Sequence, residues 1–154
     1  MAAGRFGGAA RAVVGVLPGD RVAMTSDLGA TVFGIGTDLV EIPRFRLALE
    51  RRPTLAVRLF SDAEREYAER FKEPAPRLAA RFGAKEAVMK ALGVGLGSFA
   101  FRDVEVVRDD DSGAPSLALH GAAAALAEAR GVRAWQVSLT HTDSTAMAVV
   151  LALG

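Results

Sequence analysis

The sequence predicts a single α+β domain, and the order of its patterns indicates this class. A strand-like run near residue 31 is followed by three helical segments. Short apolar runs, with one Ala-rich helix among them, make up the last third of the chain. We therefore expect a first strand, three helices, and then antiparallel strands with one more helix, an order typical of the α+β class.

The first strand is predicted over residues 31–38. Because alternate strand residues share a face, Val32, Gly34, Gly36 and Asp38 lie on one side of it. We expect the two glycines to leave open space beside the Asp38 carboxylate. Asp38 could serve as a local cap for the next helix. It could also bind a positively charged partner, since an uncompensated carboxylate is costly at the end of an apolar run.

Start and stop signals mark the three helices that follow. Pro43 suits the first turn of a helix, where a backbone N–H is not needed. Residues 61–64 read Ser-Asp-Ala-Glu, which predicts a capping box at the start of the second helix. The third helix is predicted from about residue 77 to residue 92 and ends at Gly93.

The rest of the chain is predicted as strands around one helix. Strands near residues 104–107 and 117–119 flank a turn, and an Ala-rich helix ends at Gly131. A final hairpin pairs residues 135–141 with a last strand that is apolar on both faces. Residues 1–30 are rich in Gly, Ala and Arg, so we expect a flexible extension before a domain of residues 31–154.

Composition excludes several classes of protein. The 154 residues are 51% hydrophobic and 24% charged, which is typical of a globular protein. The chain has no cysteine, which excludes disulfides and thiolate metal sites and fits a cytoplasmic location. Since no apolar run reaches the roughly 18 residues that a membrane-spanning helix needs, we expect no membrane partner.

Positive charge is concentrated in the helical region. Residues 44–90 contain 12 Lys or Arg against 7 Asp or Glu. This balance fits either an acidic partner or an ordinary solvated helix face. We do not expect nucleic acid as a partner, because few aromatic residues are interleaved with the basic ones.

The third helix contains an acidic and a basic residue one turn apart. Glu86 and Lys90 lie on the same face, next to the small residues Ala79 and Gly83. The pair fits an ordinary surface ion pair. Together with Asp38 it would also suit Mg²⁺, which one or two carboxylates typically hold together with substrate phosphates, and Lys90 would add a positive charge for those phosphates.

Three motifs occur in an order that resembles a known family. They are GIGTDLVEI at residues 34–42, RFGAKEAVMKALG at residues 81–93 and VSLTHTDSTAMAVV at residues 137–150. The chain resembles the bacterial holo-acyl-carrier-protein synthases of the 4′-phosphopantetheinyl transferase superfamily over residues 32–153. The resemblance implies that family's fold.

The resemblance also implies an enzyme that moves 4′-phosphopantetheine from coenzyme A to a serine of an acidic apo acyl carrier protein. Mg²⁺ would be required, and the role would be fatty acid biosynthesis in the cytoplasm. The family implies a homotrimer with active sites at subunit boundaries. A non-catalytic oligomeric module that binds acidic proteins through its Arg-rich helix is the alternative.

Residue roles follow from the same resemblance. Asp38 and Glu86 would bind Mg²⁺, and Glu86 and Lys90 would be catalytic. One departure is the Gly-Val-Gly at residues 93–95, where the family commonly has Gly-Thr-Gly, so a hydroxyl contact is missing. The implied substrate-binding residues are Lys90, His141, Arg81 and Gly93, and the implied carrier-binding residues are Arg44 and Arg58.

Overall fold

The structure, a computed structural model, describes residues 11–14 and 31–154. It confirms the α+β class, with a short extra helix where Pro53 separates two helical segments. A single 3₁₀ turn, Phe101–Asp103, precedes the third strand. The strands and helices are β1 Arg11–Val14, β2 Val32–Glu41, α1 Ile42–Arg51, α2 Thr54–Leu59, α3 Asp62–Glu69, α4 Ala75–Ala91, β3 Val104–Arg108, β4 Pro115–Leu119, α5 Gly121–Ala129, β5 Ala134–His141 and β6 Thr145–Leu153.

Four strands form an antiparallel sheet in the order β1-β5-β6-β2. Its register sets Asp38 of β2 opposite Ala148 of β6, which in turn lies opposite Leu139 of β5. The predicted final hairpin is therefore present, with β6 between β5 and β2. Strands β3 and β4 form a separate two-stranded sheet.

One strand lies within the segment that we expected to be a flexible extension. Strand β1 pairs with the edge of β5. The expectation for the other residues before residue 31 lies outside the described residues.

Helix α4 crosses the inner face of this sheet, and two glycines set its distance from β2. A Cβ atom added to Gly34 would lie 2.0 Å from the carbonyl oxygen of Ala91, and one added to Gly36 would lie 1.8 Å from that of Ala87. The helix backbone therefore fills the space beside these glycines. Our expectation of open space next to Asp38 was wrong, because the pattern of a strand does not reveal what covers it.

A buried ion pair ties α4 to α3 and β3. The predicted capping box is present, since Ser61 Oγ accepts from the Glu64 amide and Glu64 Oε2 accepts from the Ser61 amide. The same carboxylate accepts from Lys85 Nζ at 2.7 Å and from the Val106 amide at 3.0 Å. Burial lowers the pKa of Lys85, and the adjacent Glu64 opposes this shift. Lys85 is thus a structural residue of α4.

The outer face of strands β2 and β6 is largely apolar, and the other residues that the structure describes do not cover it. Phe33, Ile35 and Leu39 of β2 are 52%, 65% and 51% exposed. The outward residues of β6 are half-buried and equally apolar, namely Met147, Val149, Leu151 and Leu153. None of the helices in the described part of the chain has the length and hydrophobicity to span a membrane.

Candidate active site

Asp38, Glu86 and Lys90 meet where β2 passes under α4. Lys90 Nζ donates to Asp38 Oδ1 at 2.8 Å and to the carbonyl oxygen of Thr37 at 2.8 Å. The Asp38 side chain is 12% exposed, whereas that of Lys90 is 53% exposed. The Asp38–Lys90 ion pair therefore links β2 to α4. Its carboxylate is largely enclosed, whereas its lysine side chain is exposed to solvent.

Glu86 lies close enough to Asp38 for the two carboxylates to disturb each other. Burial of the carboxyl group, followed by the negative charge of Asp38, raises the pKa of Glu86 to about 7, and Lys90 opposes the shift. Two acidic groups are thus held together with one ammonium between helix and strand. Such an arrangement favours a site that gains from additional positive charge.

Local sequence explains why the three side chains meet. Asp38 points to the inner face of β2, the same face as Gly34 and Gly36. These glycines allow the α4 backbone to come close to the strand, while Glu86 and Lys90 lie one turn apart on the flank of α4 near β2. The glycines of the first motif are therefore spacers that bring the acid of β2 to the acid of α4.

The donors at this place fit Mg²⁺ with a phosphate ligand. Mg²⁺ prefers oxygen, keeps several waters and is usually held by one or two carboxylates together with substrate phosphates. Within residues 31–154, no group of three or more His, Cys, Asp or Glu side chains could hold a metal by itself. Asp38 and Glu86 could supply two oxygen ligands, and the remaining ligands would have to come from water and substrate.

A second candidate region lies on the other side of α4. It is a cavity of about 380 Å³ that is lined by Arg81 and His141, among others. The Arg81 side chain is nearly fully buried, its guanidinium lies 4.1 Å over the Tyr67 ring, and its Nε has no hydrogen-bond partner. Burial also lowers the pKa of Arg81. An enclosed cation with an unused donor is typical of an anion-binding site.

The two regions lie on opposite flanks of α4 within one chain. Arg81 and Glu86 are five residues apart, and five steps of about 100° place them roughly 140° apart around the helix axis. The acidic group faces the β2 edge, whereas the cavity opens beside β5. The structure therefore brings Asp38, Glu86 and Lys90 together, and separately Arg81 and His141, but does not bring the two sets together.

The other predicted site residues lie on the periphery. Gly93 follows α4 with a φ of +65°, which suits the glycine that ends a helix. Arg44 on α1 and Arg58 on α2 are both exposed.

Sequence reasoning missed most of the residues that line the cavity, among them two further arginines and a tyrosine. Arg77 lies one turn before Arg81 on the same helix, a spacing that could have indicated it. Tyr67 and Arg108 come from α3 and β3. No sequence signal connected these two with Arg81, because they meet only in the folded chain.

Comparisons with known proteins agree with the motifs. Residues 34–150 match the 4′-phosphopantetheinyl transferase superfamily. The holo-acyl-carrier-protein synthase of Streptomyces avermitilis is 47% identical over 124 residues, which are 80% of this chain and 99% of that protein. The enzyme of the same name from Caldanaerobacter subterraneus is 39% identical over 120 residues, 78% of this chain and 94% of that protein.

Solved structures show the same fold. The acyl carrier protein synthase of Plasmodium yoelii with ADP bound gives a TM-score of 0.76 at 27% identity and covers 82% of this chain and 98% of its own. The Helicobacter pylori holo-acyl-carrier-protein synthase in complex with coenzyme A gives 0.67 at 28% identity, with 77% and 98% covered. The chain therefore belongs to the 4′-phosphopantetheinyl transferase superfamily, within which these relatives are holo-acyl-carrier-protein synthases.

Proposed function

We propose that the chain transfers 4′-phosphopantetheine from coenzyme A to a serine of an apo acyl carrier protein, in the cytoplasm and in support of fatty acid biosynthesis. The serine oxygen attacks the phosphorus that carries the pantetheine arm. The bond between the two phosphates breaks, and adenosine 3′,5′-bisphosphate leaves. The observation that carries the proposal is the meeting of Asp38, Glu86 and Lys90 on the motifs that the chain shares with its family.

Asp38 and Glu86 would hold Mg²⁺, and Lys90 would bind the diphosphate. Bound Mg²⁺ supplies neutralisation of the phosphate charge that develops during transfer. Asp38 and Glu86 are held on a strand and a helix that pack tightly, so both are rigid ligands. Glu86 would also be the group that accepts the serine proton.

The cavity beside β5 would bind the nucleotide of coenzyme A. Arg81 offers a buried guanidinium for a phosphate, and Tyr67 offers an aromatic surface. His141 lines the same cavity. Gly93 would allow close approach of substrate beyond the end of α4, without the hydroxyl contact that Gly-Thr-Gly would supply.

A homotrimer would unite the two regions. One coenzyme A molecule would bind both the diphosphate site and the nucleotide cavity, yet these lie on opposite flanks of α4 in one chain. A partner subunit can supply the missing half. The exposed apolar face of β2, with Phe33, Ile35 and Leu39, is the kind of surface that an obligate oligomer covers.

The Arg-rich surface of α1 and α2 would receive the acidic carrier protein. Arg44 lies two residues beyond the motif of residues 34–42, and both Arg44 and Arg58 are exposed. We expect Arg44→Glu to raise the KM for carrier by about tenfold or more while leaving the KM for coenzyme A nearly unchanged, because a rim charge steers an oppositely charged partner. Steady-state kinetics at low and high salt check this. Equal rises in both KM values would show that Arg44 supports the structure of the enzyme and does not dock the carrier.

The direct test is incubation with coenzyme A, Mg²⁺ and an apo acyl carrier protein, followed by mass spectrometry of the carrier. The proposal expects a mass increase of one phosphopantetheine group. Asp38→Asn is the matched control, since it keeps the shape but removes a charge, and should need more Mg²⁺ for the same rate. Absence of both the mass increase and coenzyme A binding would contradict the proposal and favour the non-catalytic module.

A further inference from the structure

The ammonium group of Lys90 lies on the carboxylate that the metal site requires. Its Nζ donates to Asp38 Oδ1 and to the Thr37 carbonyl oxygen, both at 2.8 Å. Asp38 is largely enclosed, whereas the Lys90 side chain reaches it from solvent. The positive charge that balances Asp38 in this structure is therefore the chain's own.

A divalent cation at Asp38 competes with this ammonium. Mg²⁺ binds carboxylate oxygens at about 2.0–2.1 Å. Both cations on one carboxylate would lie within a few ångströms of each other, in a partly enclosed site where solvent screens their repulsion poorly. Lys90 must therefore leave Asp38, or bind it more weakly, when the divalent cation arrives.

Lys90 can change partners without disturbing the fold. Its side chain is half exposed, and its flexible four-carbon stem carries a point charge that can be directed elsewhere. The other lysine of the helical motif, Lys85, is fully buried and is held by Glu64 and by the carbonyl oxygens of Phe101 and Val104. One motif lysine is thus fixed, and the other is free to move.

We propose that Lys90 is a placeholder cation. It neutralises Asp38 while the divalent cation is absent, and it moves to the coenzyme A diphosphate when the cation binds. This inference rests on the proposed function, because the diphosphate is the second partner of the ammonium. Metal and coenzyme A then strengthen each other's binding, since coenzyme A removes the competitor for Asp38 and the metal releases Lys90 for the phosphates.

The first test uses Mn²⁺ as the probe and measures its binding to the coenzyme A-free protein by electron paramagnetic resonance. Lys90→Met should bind Mn²⁺ about fivefold more tightly than the wild type, or better, which is the lower range of coupling between sites. Lys90→Arg should stay near the wild type, because it retains the charge. Equal or weaker Mn²⁺ binding by Lys90→Met would overturn the placeholder.

Asp38→Asn, made in the wild type and in the Lys90→Met protein, separates this inference from the metal assignment. If Asp38→Asn weakens Mn²⁺ binding but Lys90→Met does not strengthen it, only the placeholder fails. If Asp38→Asn leaves Mn²⁺ binding unchanged even in the Lys90→Met protein, the cation does not bind at Asp38. The metal assignment of the proposed function then fails together with the placeholder.

Lysine acetylation gives a second readout that is independent of catalysis. The chain has only three lysines, so exposed Lys72 serves as the reference and buried Lys85 reports on the integrity of the fold. Without coenzyme A, Mg²⁺ should raise the labelling of Lys90 relative to Lys72 several-fold, whereas NaCl at matched ionic strength should not. An unchanged ratio at saturating divalent cation would show that Lys90 remains on Asp38.

Discussion

The carboxyl group of Glu86 is harder to ionise than that of an ordinary glutamate. Burial and the charge of Asp38 raise its pKa from the usual 4.5 to about 7. A raised pKa in the folded state means that the contribution of this group to the free energy of unfolding is complete below about pH 4.5 and is lost as the pH rises through about 7. Ionisation of Glu86 at neutral pH is therefore unfavourable, and a cation bound at the two carboxylates would relieve the repulsion between them.

This shift predicts a pH-dependent stability in the metal-free protein. Between about pH 5 and pH 8, the wild type should lose about 1–2 kcal/mol of unfolding free energy relative to Glu86→Gln, a value reduced for the solvent screening of a half-buried group. Mg²⁺ should offset part of the loss at pH 8. Urea unfolding with and without Mg²⁺ measures this. The same pH dependence in both proteins would contradict the assigned cause.

Lys85 precedes Glu86 in the sequence, but its charge is balanced inside the protein by the Glu64 carboxylate. Lys85→Met should destabilise the fold by about 3–5 kcal/mol, because it leaves the Glu64 carboxylate buried without its partner. Lys72→Met is the matched control on an exposed side chain and should change stability by less than about 0.5 kcal/mol. A small loss for Lys85→Met in urea unfolding would show that Glu64 is stabilised by its backbone donors alone.

At the scale of elements, the packing of α4 on β2 determines the geometry of the site. Gly36→Ala would place a Cβ atom 1.8 Å from the carbonyl oxygen of Ala87, so the helix would have to move away from the strand. We expect a loss of about 1–3 kcal/mol in stability from overpacking. Activity should also fall, because the displacement separates Asp38 from Glu86.

Gly95→Ala is the control for this prediction. A Cβ atom at Gly95 would have no neighbour within 4 Å, so this variant should keep the stability of the wild type. Differential scanning calorimetry and the carrier mass assay compare the two. If both variants behaved alike, the close contact of Gly36 with α4 would not control the distance between the carboxylates.

The limits of sequence reasoning also appear at this scale. The capping box at Ser61 and the helix stop at Gly93 could be predicted because both depend on neighbouring residues. The role of Gly34 and Gly36 could not, because it depends on a helix some fifty residues later. The cavity was equally out of reach, since Tyr67 and Arg81 meet only after α3 and α4 pack together.

For the molecule as a whole, a single chain has an exposed apolar sheet face and two candidate binding regions that do not meet. The outer face of β2 exposes Phe33, Ile35 and Leu39, and the cavity lined by Arg81 and His141 lies on the opposite flank of α4 from the acidic pair. Assembly through the sheet face would bury the apolar side chains of β2. It would also allow the cavity of one subunit to meet the acidic pair of another. Oligomerisation and catalysis should therefore be lost together.

Ile35→Glu tests this coupling, because Ile35 is 65% exposed in the single chain and its substitution should not disturb the inner core. A charge buried without a partner in an interface is strongly unfavourable, so the variant should dissociate to folded monomers and lose most of its carrier-modifying activity. Val107→Glu, a comparable change on the separate two-stranded sheet, should keep both assembly and activity. Light scattering gives the mass, circular dichroism the fold, and the carrier mass assay the activity. An active, folded monomer of Ile35→Glu would show that one chain binds coenzyme A by itself and would contradict the trimer.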